Sequence, residues 1–139
     1  MARYLPLPPD LLPPMDATAS LLHKAQRYLR SAAVLLEIGD HDSTVSRAYF
    51  SMFYAAQALL LHHEVRLAPG QGMRAAFIEQ FVDTGLLPER AGVALEDGYV
   101  LMEAADFGHL TSVTTPQAER MLAEAEAFVN SVTPLALGV

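Results

Sequence analysis

From position 17 onward, apolar residues return every three or four places, and no stretch sustains the every-second-place alternation of a half-buried strand. That period gathers the apolar side chains into one stripe per helix, and each stripe must be buried against another. Residues 64–68 alternate weakly, but a lone strand has nothing to pair with. Leu21, Leu22, Ala25, Leu29, Ala32, Ala33 and Leu36 mark a first helix over about 17–38, with Asp16 as its cap and Gly39-Asp40 as its stop. A second helix is expected over about 43–64, capped by Asp42 or Ser43. Its stripe of Ala48, Tyr49, Met52, Phe53, Ala56, Leu59 and Leu60 is flanked by Phe50, Tyr54 and Leu61. It is apolar almost all round, which suits a central helix.

Gly and Pro break the chain over 66–72, and a short helix follows over about 73–83. Pro88 and Glu89 suit the first turn of a fourth helix, which Asp106-Phe107-Gly108 ends. Thr115-Pro116 opens a last helix to about 132, leaving Pro134 and Gly138 in a tail. The expectation is an all-α, up-and-down antiparallel bundle of four long helices plus one short helix, spanning 17–133. A proline-rich arm at 1–16 precedes it, and 134–139 form the tail. The arm holds five prolines before position 15, which favours extended backbone, and its Tyr4, Leu5, Leu7, Leu11 and Leu12 are apolar enough to pack.

Composition narrows the chemistry. A chain of 139 residues fits one domain. It has no Cys, so thiolate metal sites, disulfides and Cys nucleophiles are out. Its net charge of −7 is the wrong sign for a protein whose whole surface binds nucleic acid. No secretion or membrane segment is visible, since Pro6, Pro8, Pro9 and Asp10 interrupt the start of the chain. The expected setting is the cytoplasm. Charge is nonetheless uneven. Lys24, Arg27 and Arg30 cluster on the first helix, whereas beyond position 90 Arg120 is the one base among seven acids. Either face could recruit a partner.

No Glu-x-x-His pair and no His-x-x-x-His pair occurs, so no helical metal site and no cofactor are expected. His62 and His63 are adjacent, a poor chelate, and suit the negative end of a helix. Gly70-Gln71-Gly72-Met73-Arg74-Ala75 matches the dinucleotide-binding spacing, but that motif requires a preceding strand. Tyr49, Phe50, Phe53 and Tyr54 form two pairs at four-residue spacing, a set read chiefly as core. Arg47 shares a face with Phe50, Ser51 and Tyr54. A guanidinium there calls for a carboxylate, and Asp106 is the candidate. Arg47, Tyr54, Asp106 and His109 are therefore the candidate binding residues, with His109 and Arg47 the candidates for any catalysis.

Three stretches carry a resemblance: Ser46-Arg47-Ala48-Tyr49-Phe50-Ser51-Met52-Phe53-Tyr54-Ala55-Ala56, then Phe81-Val82-Asp83-Thr84-Gly85-Leu86-Leu87-Pro88, then Glu103-Ala104-Ala105-Asp106-Phe107-Gly108. In order and spacing the chain resembles the prokaryotic HEPN domain family. The resemblance implies a helical homodimer, pairing with a nucleotidyltransferase-like protein, and a place in toxin–antitoxin or defence modules. It also implies RNA or a nucleotide as ligand. Many members are metal-independent RNases, in which an Arg is followed after four to six intervening residues by a His. The His handles protons and the Arg positions phosphate.

No Arg of this chain has a His at that distance, and Met102 stands where relatives often carry the Arg. His109 follows Met102 by seven residues. The resemblance thus points to a binding or regulatory protein without the standard RNase motif. The alternatives are an RNase with a rearranged site built from Arg47 and His109, and a nucleotide-sensing module around Arg47, Tyr54, Asp106 and His109.

Overall fold

The computed structural model describes residues 17–108 and 112–139. They form α1 (Ala17–Glu37), α2 (His41–His62), α3 (Met73–Phe77), α4 (Glu89–Phe107) and α5 (Thr115–Leu137), with α3 running straight into a π-helical turn at Ile78–Val82. No strand occurs among the described residues. The expected four long helices and one short one are present.

α2 is the axis, as its all-round apolar sequence demands. Val45, Ala48, Tyr49, Met52, Ala55, Ala56, Ala58 and Leu59 are all buried, and α2 packs against α1, α4 and α5. Specific pairs fix the directions. Lys24 meets Tyr54 while Arg47 meets Tyr28, so α1 and α2 are antiparallel. Ser46 meets Asp106 and Tyr49 meets Tyr99, so α2 and α4 are antiparallel too. His41 meets Thr115, and Gly138 lies beside His62, so α2 and α5 run parallel across the bundle. That is the up-and-down course expected for short connections.

Gly98 lets α4 approach α2 and α5 closely. A Cβ there would lie 2.8 Å from Met52 Cε and 2.7 Å from Met121 Cε. Phe77, Phe81 and Phe128 close the end of the core under the π turn.

Two helix ends differ from the sequence expectation. α2 starts at His41, with Asp40 as its cap; the Asp40 carboxylate accepts from the Ser43 amide at 3.2 Å. Gly39, at φ +82°, turns the chain so tightly that the residue after it already caps the next helix. Asp42 is thereby released for another partner. α5 runs through Pro134 to Leu137, where Gly138 at φ +73° ends it. A proline costs its own hydrogen bond and strains the preceding turn, yet Val132 and Ala136 on either side are fully buried and hold the helix. Thr114 and Gln117 form the capping box that starts α5.

The glycine pattern at 70–75 lies in a loop followed by the five residues of α3, with no strand before it among the described residues. It lacks the setting that phosphate binding of that type requires. His62 and His63 sit at the end of α2, their rings 5.3 Å apart and edge to face. Asp16 and the proline-rich arm lie outside the described residues. Among the described residues no helix is long and apolar enough to cross a membrane.

Candidate functional site

On α1, positions 24, 27, 28 and 31 return on one flank of the helix, as do 47 and 54 on α2. Because the two helices are antiparallel, these flanks face each other along one seam. The Tyr28 and Tyr54 rings meet edge to face with centroids 5.1 Å apart. Lys24 Nζ lies 4.4 Å from the Tyr54 ring centroid, and Arg47 Cζ lies 4.7 Å from that of Tyr28. Each cation sits where the ring quadrupole attracts it. The Tyr28 phenol is held below its ordinary ionisation range. Hydrogen bonding with Tyr54 is the main cause, burial opposes it, and the charges of Arg47, Lys24 and Arg27 add to it.

Further along the same seam Arg27, Arg30 and Arg47 border an open cleft of about 530 Å³ with Ser31, Val34 and Leu35. No carboxylate lines it, although the chain carries 16 acids against nine bases. Among the described residues none of these three arginines has an ion pair. Three guanidinium groups without a carboxylate partner, over a small apolar wall, are suited to an anion such as phosphate, which arginine grips in a bidentate fashion.

Asp106 is exposed at the end of α4 and accepts from Ser46 Oγ at 3.1 Å. The expected Arg47–Asp106 ion pair does not form. Residues 46 and 47 point about 100° apart on the helix, so Ser46 faces α4 while Arg47 faces α1. Arg47 is also exposed rather than buried, so its charge needs no carboxylate. The seam and Asp106 are thus neighbours through consecutive residues of α2. Arg47 and Tyr54 are joined through Tyr28, and Asp106 stands on the far side of Ser46. His109 lies outside the described residues.

A second polar cluster ties the helix ends near Asp106. The released Asp42 carboxylate accepts from the Val113 amide at 3.2 Å, and His41 Nε2 lies 3.3 Å from Thr115 Oγ1. His41 and Tyr28 were not singled out from the sequence. Tyr28 lies just off the apolar stripe of α1, and only the register between helices reveals its partners.

Among the described residues the partly buried arginine is Arg74, not Arg47. Its Cζ lies 3.5 Å from the Tyr99 ring centroid, and its Nε lies 3.4 Å from Glu96 Oε1. It also neighbours the buried Tyr49 hydroxyl. Burial pushes the Tyr49 phenol above its ordinary range, and Arg74 opposes that rise. This cluster joins α2, α3 and α4 and reads as a structural lock. Among the described residues no group of three or more His, Asp or Glu could hold a metal ion together.

Comparison with known proteins places these features in a family. The HEPN domain profile matches residues 18–135. A protein of Methanocaldococcus jannaschii, named as a candidate toxin, is 29% identical over 110 residues, which cover 79% of this chain and 75% of the relative. A second candidate toxin of that organism is 31% identical over 113 residues, covering 81% of this chain and 84% of the relative. A UPF0332 protein of Thermotoga maritima is 28% identical over 112 residues, covering 81% and 85%. The matched span contains every described helix almost end to end, including the seam, Asp106 and the Arg74 lock. The chain belongs to the HEPN domain family.

Proposed function

We propose that this chain is a HEPN homodimer that acts by binding within a toxin–antitoxin or defence module, beside a nucleotidyltransferase-like partner, and not as an RNase of the Arg–His type. The observation that carries the reading is Met102. At the place where the resemblance calls for the RNase arginine, this chain buries a methionine to 5% exposure inside the bundle. No guanidinium can act from there, and Arg47, the arginine of the rearranged-site alternative, stands on the α1 side of α2, over the Tyr28 ring. The names of the two archaeal relatives support the toxin–antitoxin setting.

The test is a tagged pull-down from the native host, read by mass spectrometry together with light scattering of the purified chain. The reading expects a stoichiometric nucleotidyltransferase-like protein and a dimer mass at micromolar concentration. Recovery of the chain alone, or a monomer mass, contradicts it.

A second reading, a nucleotide-sensing module, is favoured by the acid-free arginine cleft alone. A ligand that binds only the folded state raises the melting temperature. Nucleotides should therefore stabilise the chain, and Arg27→Gln with Arg30→Gln should remove the effect. A flat response to every nucleotide at millimolar concentration removes this reading.

A further inference from the structure

Leu86, Val93, Val100 and Phe107 recur at intervals of seven and are all exposed, at 47%, 48%, 66% and 71%. Seven residues are almost two helical turns, so Val93, Val100 and Phe107 stack into one stripe along α4; Leu86 lies in the loop before the helix. Large apolar side chains exposed singly are ordinary, but a ladder in register is the pattern of a helix seam that awaits its partner. The stripe has a concave neighbour, a groove of about 300 Å³ between the π turn and α4. Ile78, Val82 and Val93 line it, with Asp83, Glu89 and Asp97 among them. It could take an anchoring side chain.

The charges beside the stripe select the occupant. Glu89, Glu96 and Glu103 also recur at intervals of seven and run along one flank. Glu96 is held by Arg74, but Glu89 and Glu103 have no ion pair among the described residues. Arg90 is the one base of α4. An antiparallel two-fold pairing of α4 with α4 of a second copy sets this flank against itself, carboxylate to carboxylate, which disfavours that pairing. A helix with a basic flank instead finds an apolar seam and opposite charge together.

We propose that this stripe is the docking surface for a basic amphipathic helix of a partner chain. The helix would cover Val93, Val100 and Phe107 with its apolar face and bring Lys or Arg to Glu89 and Glu103. The proposal rests on the reading above in taking a protein as the occupant, and it adds where that protein binds and with what chemistry.

The probe is a synthetic helical peptide of about three heptads with Leu at the two seam positions and Lys on the flanks. It is fluorescently labelled and titrated with the full chain. Saturable one-to-one binding that weakens with added salt is expected. Val100→Asp combined with Phe107→Ser should weaken binding at least about tenfold, as should replacing the peptide's Lys by Glu. Leu61→Ser, on a different helix face, should leave binding within about twofold. Val93→Ser provides a second seam variant, and circular dichroism verifies the helicity of each.

Three results overturn the proposal. The first is a Lys peptide that binds no more tightly than the Glu peptide. The second is binding unchanged in the seam variants, which would make it general attraction to an acidic chain. The third is a lower mass of the free Val100→Asp protein in light scattering, which would place a second copy on the stripe. Failure here leaves the pull-down above to judge the partner reading separately.

Discussion

Arg47 lies over the ring of Tyr28, its Cζ 4.7 Å from the centroid, and not against the carboxylate of Asp106, which Ser46 occupies instead. An exposed cation–π contact is worth about 0.5–1 kcal/mol, while a buried guanidinium stripped of its partner would cost about 3–5 kcal/mol. Arg47→Ala should therefore lower stability by no more than about 1 kcal/mol in urea unfolding. A loss above about 3 kcal/mol would show that the charge is buried and paired after all. The variant should thus stay folded and be usable in functional tests.

The tyrosines should ionise in a set order. Tyr28 should titrate before Tyr49 when the two are followed by absorbance with single Phe substitutions. The two have opposite consequences for alkaline stability. Tyr28, depressed in the folded state, stabilises the fold fully above the ordinary phenol value of about 10 and loses that contribution as pH falls through its own lower value. Tyr49, raised in the folded state, contributes fully below about 10 and loses its contribution as pH rises above that. Tyr49→Phe should flatten the decline of stability above about pH 10, and Tyr28→Phe should remove a gain of stability that falls just below about pH 10. The reverse pattern would mean that the two environments have been assigned the wrong way round.

Arg74 should matter more than Arg47. Its loss removes the cation that neighbours the buried Tyr49 hydroxyl and uncovers the Tyr99 ring. Arg74→Ala should cost about 2–3 kcal/mol in denaturant unfolding. Arg74→Ala in a Tyr49→Phe background should cost clearly less, because no hydroxyl is then stranded. Equal costs in both backgrounds would show that the Tyr49 hydroxyl carries none of the effect.

Gly98 should tolerate little bulk. The terminal methyls of Met52 and Met121 occupy the space a side chain would need. Alanine gains helix propensity of about 1 kcal/mol over glycine, and the methionine ends can swing aside, so Gly98→Ala should be close to neutral. Gly98→Leu should cost about 3 kcal/mol, at the upper end for overpacking. A Gly98→Leu protein as stable as the parent would mean that α4 can slide away from α2 and α5.

The architecture was legible because α2 is apolar almost all round, and such a helix has one place to go, the centre of the bundle. Its neighbours show one stripe each and must surround it. The ends were less legible. Local preference says that Pro134 ends a helix, but the buried Val132 and Ala136 on either side decide otherwise. Asp40 reads as part of a stop signal in the sequence, where nothing distinguishes a residue that only leaves a turn from one that also caps the next helix.

The candidate site was half legible. Arg47 and Tyr54 stood out by spacing on α2, and the basic face of α1 by its charge. Their meeting through Tyr28 depends on the register between two helices, which no single-helix pattern encodes. Arg47 was assigned a buried, paired role that belongs to Arg74. The Asp106 carboxylate goes instead to Ser46, one step of about 100° before Arg47 on α2, because the side of α2 that meets α4 is set by packing between helices.

The central claim is that this HEPN protein binds and does not cut. The purified chain should be incubated with fluorescent single-stranded RNA beside Arg47→Ala and His109→Ala forms that retain native helicity. The account predicts no cleavage above background for any of the three. Cleavage by the parent chain that either substitution abolishes would contradict it and would identify a working site in which those residues take part.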